Sequence, residues 1–198
     1  MSINREIINF EEIKFISMNG AGNKILIHDS RNQNIEIDEK LIIFLSNKNE
    51  LIDFDQFVQI CKPDSSADAK LLFWNPDGSK AEMCGNAIRC IAKIIIDEKK
   101  KKEIHFETIN KKVICWENNT NISVNMGKPN FVWTEIPLSG GTKDLSTLMI
   151  NLPSPPCVLP HFTAVNIGNP HAVFFFNNDI LPDLKAVSYT HLTLPTKA

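Results

Sequence analysis

The chain lacks any long apolar run: nothing in its 198 residues approaches the ~20 consecutive apolar residues of a bilayer-spanning helix. Residues 1–11 carry no apolar core of signal-peptide length either. Charge of one sign is equally scarce. With 21 Lys and Arg against 23 Asp and Glu, the net charge is −2, which gives no basic excess for nucleic acid and no acidic solvating tail. Cysteine is present, but not in a scaffold or zinc pattern. Cys61, Cys84, Cys90, Cys115 and Cys157 make no CxxC pair, and the histidines add no paired ligand spacing. An odd thiol count without an export signal points to reduced cysteines in a cytoplasmic protein, with no metal, no membrane and no nucleic acid as partner. No period of 20–50 residues repeats, which excludes a solenoid. The length suffices for one generous domain or two small ones, either able to bury a real core.

What is present is concentrated in Asn75-Pro-Asp-Gly-Ser-Lys-Ala-Glu-Met-Cys-Gly-Asn-Ala-Ile-Arg-Cys90. The spacing places Cys84 where a tight turn gives way to an amphipathic helix running to about Glu98. Backbone N–H groups at a helix start have no intrahelical partner, and the peptide dipoles add partial positive charge there. A thiol so placed has its thiolate stabilised. The N–H groups of Gly85 and Asn86 are also free to hold a carboxylate. The segment pairs a reactive sulfur with an anion site.

Around it the pattern alternates between short strands and helices. Ile13–Met18 and Lys24–His28 read as a hairpin about Asn19-Gly-Ala-Gly22, and Asp38 caps a helix through about Asn47. Asp55–Cys61 and Ala69–Trp74 read as strands, and Asn75–Gly78 as a turn. Ile88, Ile91, Ile94 and Ile95 give the central helix its apolar face. The Lys99–Lys102 run reads as its solvated, cationic end. Strands follow at Glu103–Thr108, Lys112–Trp116, Asn121–Met126, Ala164–Ile167 and Ala172–Phe176. Gly127-Lys-Pro marks a boundary. Gly20-Ala-Gly-Asn23 and Gly168-Asn-Pro-His171, each between two strands, echo one another and suggest two related halves.

Four segments together resemble the diaminopimelate epimerase family: Met18–Asn23, Phe54-Asp-Gln56, Asn75–Cys90 and Gly168–His171. The Cys-Gly-Asn-Ala-x-Arg-Cys element after Asp-Gly-Ser is the specific one, and the resemblance covers residues 12–186. It implies an α+β fold of two pseudo-symmetric halves, each a curled sheet around a central helix, with the second half incomplete. The halves would be residues 1–127, carrying Cys84, and residues 128–186. The remainder, 187–198, changes character and reads as a non-native tail. The resemblance also implies cofactor-independent epimerisation of LL- and meso-diaminopimelate, in lysine and cell-wall precursor synthesis, by two cysteines acting on opposite faces of one carbon. Cys84 would be one of them. Asn23, Gln56, Asn75, Gly85, Asn86 and Asn169 fall on substrate-contact positions and His171 on a supporting one. The second cysteine and a Glu-Arg pair of the family find no match after Phe176, so the chain as written is expected to be an inactive fragment. A homodimer is compatible with the resemblance.

Two departures from the family pattern stand near the first contact residue. Lys24 and Ile25 replace an acidic residue and a phenylalanine, and Glu50-Leu-Ile-Asp53 replaces a glycine-containing approach to Phe54. Other thiols read differently from Cys84. Cys90 lies about 240° round the helix from it and reads as core. Cys61 and Cys115, in strands, read as core too, and Cys157 lacks the helix start a second base needs. Trp74, Trp116 and Trp133 read as core or interface aromatics. A proline racemase-like epimerase, an isomerase of this fold without cysteine bases, and a non-catalytic half-site fragment remain alternatives.

Overall fold

The computed structural model describes residues 5–10, 13–33, 35–48, 52–119, 121–136 and 162–175. Cys157, His161, His191 and the tail at 187–198 lie outside these residues. The chain divides into two compact units, Met1–Met126 and Gly127–Ala198.

The first unit contains one mixed sheet and two helices. Along the chain run β1 (Arg5–Phe10), β2 (Ile13–Gly20), β3 (Asn23–Asp29), α1 (Glu39–Lys48), β4 (Gln56–Cys61), β5 (Ala69–Trp74), β6 (Lys80–Ala81), α2 (Gly85–Lys99), β7 (Glu103–Glu107), β8 (Lys112–Asn118) and β9 (Asn121–Asn125). Their order across the sheet is β1-β2-β3-β4-β5-β7-β8-β9, with the short β6 hooked onto β5. Neighbours pair antiparallel except at two places, β3 with β4 and β5 with β7. Parallel neighbours need a crossover connection. The two helices supply the two crossovers.

Strand alternation explains where each helix packs. Successive side chains point to opposite faces. Ile25 and Ile27 of β3, and Val58 and Ile60 of β4, join the core under α2. Leu26 and Phe57, one residue out of phase, join the core under α1 with Ile42, Leu45 and Trp74. Both faces of β3–β5 are thus covered, and β4 is buried along nearly its whole length. Asp38 caps α1 as expected, its Oδ1 accepting the Leu41 N–H at 2.8 Å.

Central helix α2 packs against β2, β7, β8 and β9. Ile88, Ile91 and Ile95 are fully buried beneath it. Each contributes on the order of 2 kcal/mol through burial alone. Ile94 is only partly buried. The broader face comes from Ala87, Cys90, Ala92 and Ile96, small or flanking positions that let the helix sit low in the sheet.

In the second unit, β10 (Phe162–Asn166) and β11 (Pro170–Phe174) form an antiparallel hairpin. A short 3-10 turn at Trp133–Glu135 and a bridge between Asn130 and Asn166 accompany it. Both hairpins that precede an expected contact asparagine are built alike. Asn19 Oδ1 accepts the Gly22 N–H at 2.9 Å, and Asn166 Oδ1 accepts the Gly168 N–H at 2.7 Å. The α+β expectation holds.

Three expectations need correction. Cys61 closes β4, half-buried beside Ser30 Oγ at 3.7 Å, because the strand runs one residue past the core. Trp116, expected in the core or at an interface, points outward from β8 and is 38% exposed, which excludes the core. The Lys99–Lys102 run is more than a solvated helix end. Lys99 Nζ and Lys101 Nζ both donate to Asp68 Oδ1, at 3.0 and 2.8 Å, while the His105 N–H reaches Oδ2 at 2.9 Å. One carboxylate therefore ties the start of β5, the end of α2 and strand β7 together. Lys100, between the two lysines, takes the left-handed conformation that ends the helix.

Burial alone would raise the Asp68 carboxyl, but Lys101, the His105 amide and Lys99 outweigh it and hold it at about 2, against an ordinary value of 3.8. A carboxyl lowered in the folded state adds stability above its unfolded value and loses it as pH falls toward the folded one. Asp68→Asn should therefore cost about 1–2 kcal/mol at neutral pH, discounted for the exposed lysine ends. The gap from wild type should shrink as pH drops from 3.8 toward 2. Urea titrations across that range check this; a gap that stays constant would refute the knot's role.

Candidate active site

The sheet register gathers the candidate residues at one end of the first unit. Strand β3 begins at Asn23, and β4, parallel to it, begins at Gln56, opposite Ile25. Strand β5 runs back along β4 with Trp74 opposite Phe57, so Asn75 emerges at the same end. The turn after it is closed by the Gly78 N–H on the Asn75 carbonyl at 3.0 Å, with Gly78 at φ +84°. Seven residues beyond Gly78, α2 begins.

Cys84 is the N-cap of α2, in extended conformation at φ −133° and ψ 108°. Its carbonyl accepts the first intrahelical bond, from the Ile88 N–H at 2.9 Å. The N–H groups of Gly85, Asn86 and Ala87 precede that bond, and the Cys84 sulfur caps none of them. The side chain is partly buried against the α2 core. A sulfur and a set of helix-start donors thus share one location.

Helix start and hairpin tip are joined through amides. Asn86 Nδ2 donates to Asn23 Oδ1 at 3.3 Å, and Arg89 Nη2 donates to Asn86 Oδ1 at 2.6 Å. Residues Ala21 and Gly22 form the two-residue hairpin loop, both at positive φ (54° and 96°), which suits the twist of a tight hairpin. Gly20 passes so close to the helix that a Cβ there would lie 2.9 Å from the Asn86 carbonyl oxygen and 3.0 Å from Cys90 Sγ.

A second amide pair lies along the strand ends. Gln56, 8% exposed, donates through Nε2 to the Trp74 carbonyl at 2.7 Å and to Asn75 Oδ1 at 3.4 Å. Asn75 Nδ2 donates to Ser79 Oγ at 2.9 Å, and that hydroxyl donates to Asp77 Oδ1 at 2.6 Å. The Ser79 hydroxyl and N–H hold the Asp77 carboxyl below its ordinary value. The orientation of Asn75 is thus fixed from both sides.

The two segments that depart from the family pattern meet near Asn23, where the Lys24 ammonium pairs with the Asp53 carboxylate. The Lys24 N–H and carbonyl also bond Asp55, to Oδ2 and from N–H respectively, each at 2.8 Å. Ile25 is fully buried.

In the second unit, His171 Nε2 lies 2.9 Å from Asn169 Oδ1. An amide oxygen only accepts, so Nε2 carries the proton. Gly168, at φ +119°, makes the bend that brings the two side chains together. His171 is exposed and Asn169 half-buried.

The other described thiols differ in kind. Burial pushes Cys90 up to about 11, against the opposing charge of Arg89 and with a small addition from Cys84, and pushes Cys115 up to about 12. Cys61 is also raised by burial. His28 is buried, its Nδ1 3.1 Å from the Lys14 carbonyl oxygen. Among the described residues no group of three or more His, Cys, Asp or Glu could hold a metal ion. No described helix is long and apolar enough to cross a membrane. Sequence reasoning missed Gly20, Ser79 and Arg89. The last two sit inside the Asn75–Cys90 motif, and Arg89 lies one helical turn from Asn86, a spacing that puts side chains in contact.

Residues 15–132 match the diaminopimelate epimerase family. A diaminopimelate epimerase of Rhizobium meliloti is 36% identical over 173 residues, covering 86% of this chain and 57% of its own length. One from the Wolbachia of Drosophila simulans is 40% identical over 189 residues, covering 92% and 68%. Among solved structures, one described as a "Predicted Epimerase" from Pseudomonas aeruginosa superposes with a TM-score of 0.50 at 12% identity, over 84% of this chain and 60% of that one. That likeness concerns fold alone. The chain spans little more than half the length of the Rhizobium relative. With the family's sequence match across the sheet and across the helix that starts at Cys84, the chain belongs to the diaminopimelate epimerase family.

Proposed function

We propose that this chain carries one side of the active site of a cofactor-independent epimerase that interconverts LL- and meso-diaminopimelate. The observation that supports this reading is Cys84 at the N-cap of α2, with unpaired helix N–H groups and the Asn86–Asn23 amide pair beside it. The relatives' printed name supplies the substrate.

An α-proton beside a carboxylate is a very weak acid. When the Cα–H bond breaks, its electron pair moves into the carboxylate, which gains a second negative charge. Fixed N–H donors aimed at that carboxylate stabilise the charge without rearranging, most effectively in a dry site. Gly85 and Asn86 hold the carboxylate in this reading. A thiolate removes the proton on one face and becomes a thiol, and a second thiol delivers its own proton to the other face and becomes a thiolate. Net charge is conserved, and neither pyridoxal phosphate nor a metal is needed. Cys84 is one of the pair. Its counterpart belongs to the part of the relatives' length that this chain does not span. Asn23, Gln56 and Asn75 contact the substrate from this unit. Asn169 is a further substrate-contact residue, and His171 supports it by holding its amide. Residues 1–127 act as one half of the enzyme and 128–186 as part of the other, in a cytoplasmic protein able to pair as a homodimer.

Three outcomes test the reading. Alkylation at neutral pH, mapped by mass spectrometry on the folded chain, should modify Cys84 well before Cys90 and Cys115, both buried and pushed far above neutrality. Faster labelling of either buried thiol would remove the basis for Cys84 as the reactive sulfur. In a protein holding both proton-transfer groups, Cys84→Ser should slow epimerisation by roughly 10²–10⁴-fold with binding little changed, since a hydroxyl matches the thiol in shape but not as a base. Near-normal turnover would overturn the two-cysteine mechanism. The 198 residues assayed by themselves should bind diaminopimelate without inverting it, because orientation aids catalysis only when both groups are held in place. Chiral chromatography after incubation in deuterated water is the measurement, and Cys84-dependent LL-to-meso conversion would disprove this.

A further inference from the structure

We propose that Arg89 is a positioning residue that sets the direction of the amides of Asn86 and Asn23. This inference rests on the proposed function for its ligand, but its geometry stands apart from it. Arg89 Nη2 lies 2.6 Å from the Asn86 side-chain oxygen. A guanidinium has five donors and no acceptor, so the atom facing it must be the carbonyl oxygen. The Asn86 NH2 group is thereby turned toward the hairpin, where it meets Asn23 Oδ1 at 3.3 Å. With its oxygen engaged, Asn23 turns its own NH2 group away from Asn86. One cation therefore fixes two amides that would otherwise rotate by half a turn at little cost.

Nothing else in the described structure accounts for Arg89. It is half-buried in the second turn of α2, and among the described residues no carboxylate pairs with it. A half-buried guanidinium paired with a neutral amide forgoes the stabilisation that a carboxylate partner would supply. Such a locally unfavourable choice is expected where function requires it. The consequence is a site whose donors point one way: the helix-start N–H groups, the Asn86 amide and the Asn23 NH2 form one run of donors. An anionic group of the substrate meets donors only, and the substrate is held in a single orientation at that end.

The test is a double-mutant cycle on the 198-residue chain, with Arg89→Met, Asn86→Ala and the double variant. Dissociation constants for diaminopimelate are read from backbone amide shifts. Arg89→Met should weaken binding roughly tenfold, the scale of one hydrogen bond to a charged group. In the Asn86→Ala background the same change should have almost no effect, because Arg89 acts through Asn86. Additive losses would overturn the proposal. Arg89→Lys, which keeps charge and helix propensity but loses the fork, should recover part of the binding and guards against a misfolded Met variant. In ligand-free protein the side-chain NH2 signals of Asn86 and Asn23 should both shift in Arg89→Met while backbone signals of β4 and β5 stay in place. An unmoved Asn23 signal would refute the coupling. Should the wild-type chain bind no diaminopimelate, the proposed function fails, and these ligand-free signals still decide the role of Arg89.

Discussion

The contact between Gly20 and the start of α2 carries the rest of the first unit. A helix can lie against a strand end this closely only where no Cβ intervenes, and at Gly20 a Cβ would meet helix backbone at 2.9 Å. Backbone does not swing aside as a flexible side chain does. The close approach seats the β2–β3 hairpin on the first turn of α2, which places Asn23 within reach of Asn86. It also leaves room for the Cys90 sulfur, from which a Cβ at Gly20 would lie only 3.0 Å away. Core and site are therefore built by one packing event. A displaced hairpin would open the core over Cys90 and separate the amides together.

The opposite end of the same crossover is held by charge rather than by close packing. Asp68 sits where β5 starts, and Lys99, Lys101 and the His105 amide converge on it from α2 and β7. Parallel pairing of β5 with β7 depends on α2 returning the chain to the correct edge. Apolar burial under α2 favours docking but fixes no register along the helix axis, because the hydrophobic effect has no direction. A carboxylate with several directed donors at one end, and a backbone contact at the other, supply that register. The start of α2 is thereby placed to within the tolerance of hydrogen bonds.

Much of this arrangement was readable in the residues, for identifiable reasons. The α2 boundaries were legible because Ile88, Ile91 and Ile95 repeat at helical spacing and Cys84 follows a turn closed by Gly78. Strands β3 to β5 were legible from their β-branched and aromatic runs, and the Asp38 cap from its position before Leu41. Strand β1 was missed, since Arg5–Phe10 shows no clean alternation and its membership depends on pairing with β2. The two-residue β6 is too short to carry a period. Asp68 could not be foreseen, because its partners lie 31 to 37 positions away and meet it only after the crossover forms. Cys61 was misplaced because strand pattern shows which face a side chain takes, not where along the strand the core ends. The same limit applied to Trp116.

Within the site, the chemistry of each residue type could be read locally, whereas its direction could not. An asparagine is both donor and acceptor, so the sequence alone leaves open which way each amide faces. Direction comes from neighbours. Gln56 places its NH2 on Trp74 and Asn75, the Ser79–Asp77 pair draws the Asn75 NH2 away, and Arg89 turns Asn86 toward Asn23. Uncharged amides oriented this way offer donors and acceptors in fixed places while adding no net charge. The two thiols of α2 follow the same logic. Cys90, six residues along and sealed beneath Gly20, is pushed up to about 11 and stays protonated at neutral pH. Cys84, at the N-cap, is only partly buried and stands beside the helix-start N–H groups. Two identical side chains thus differ in burial by position along one helix.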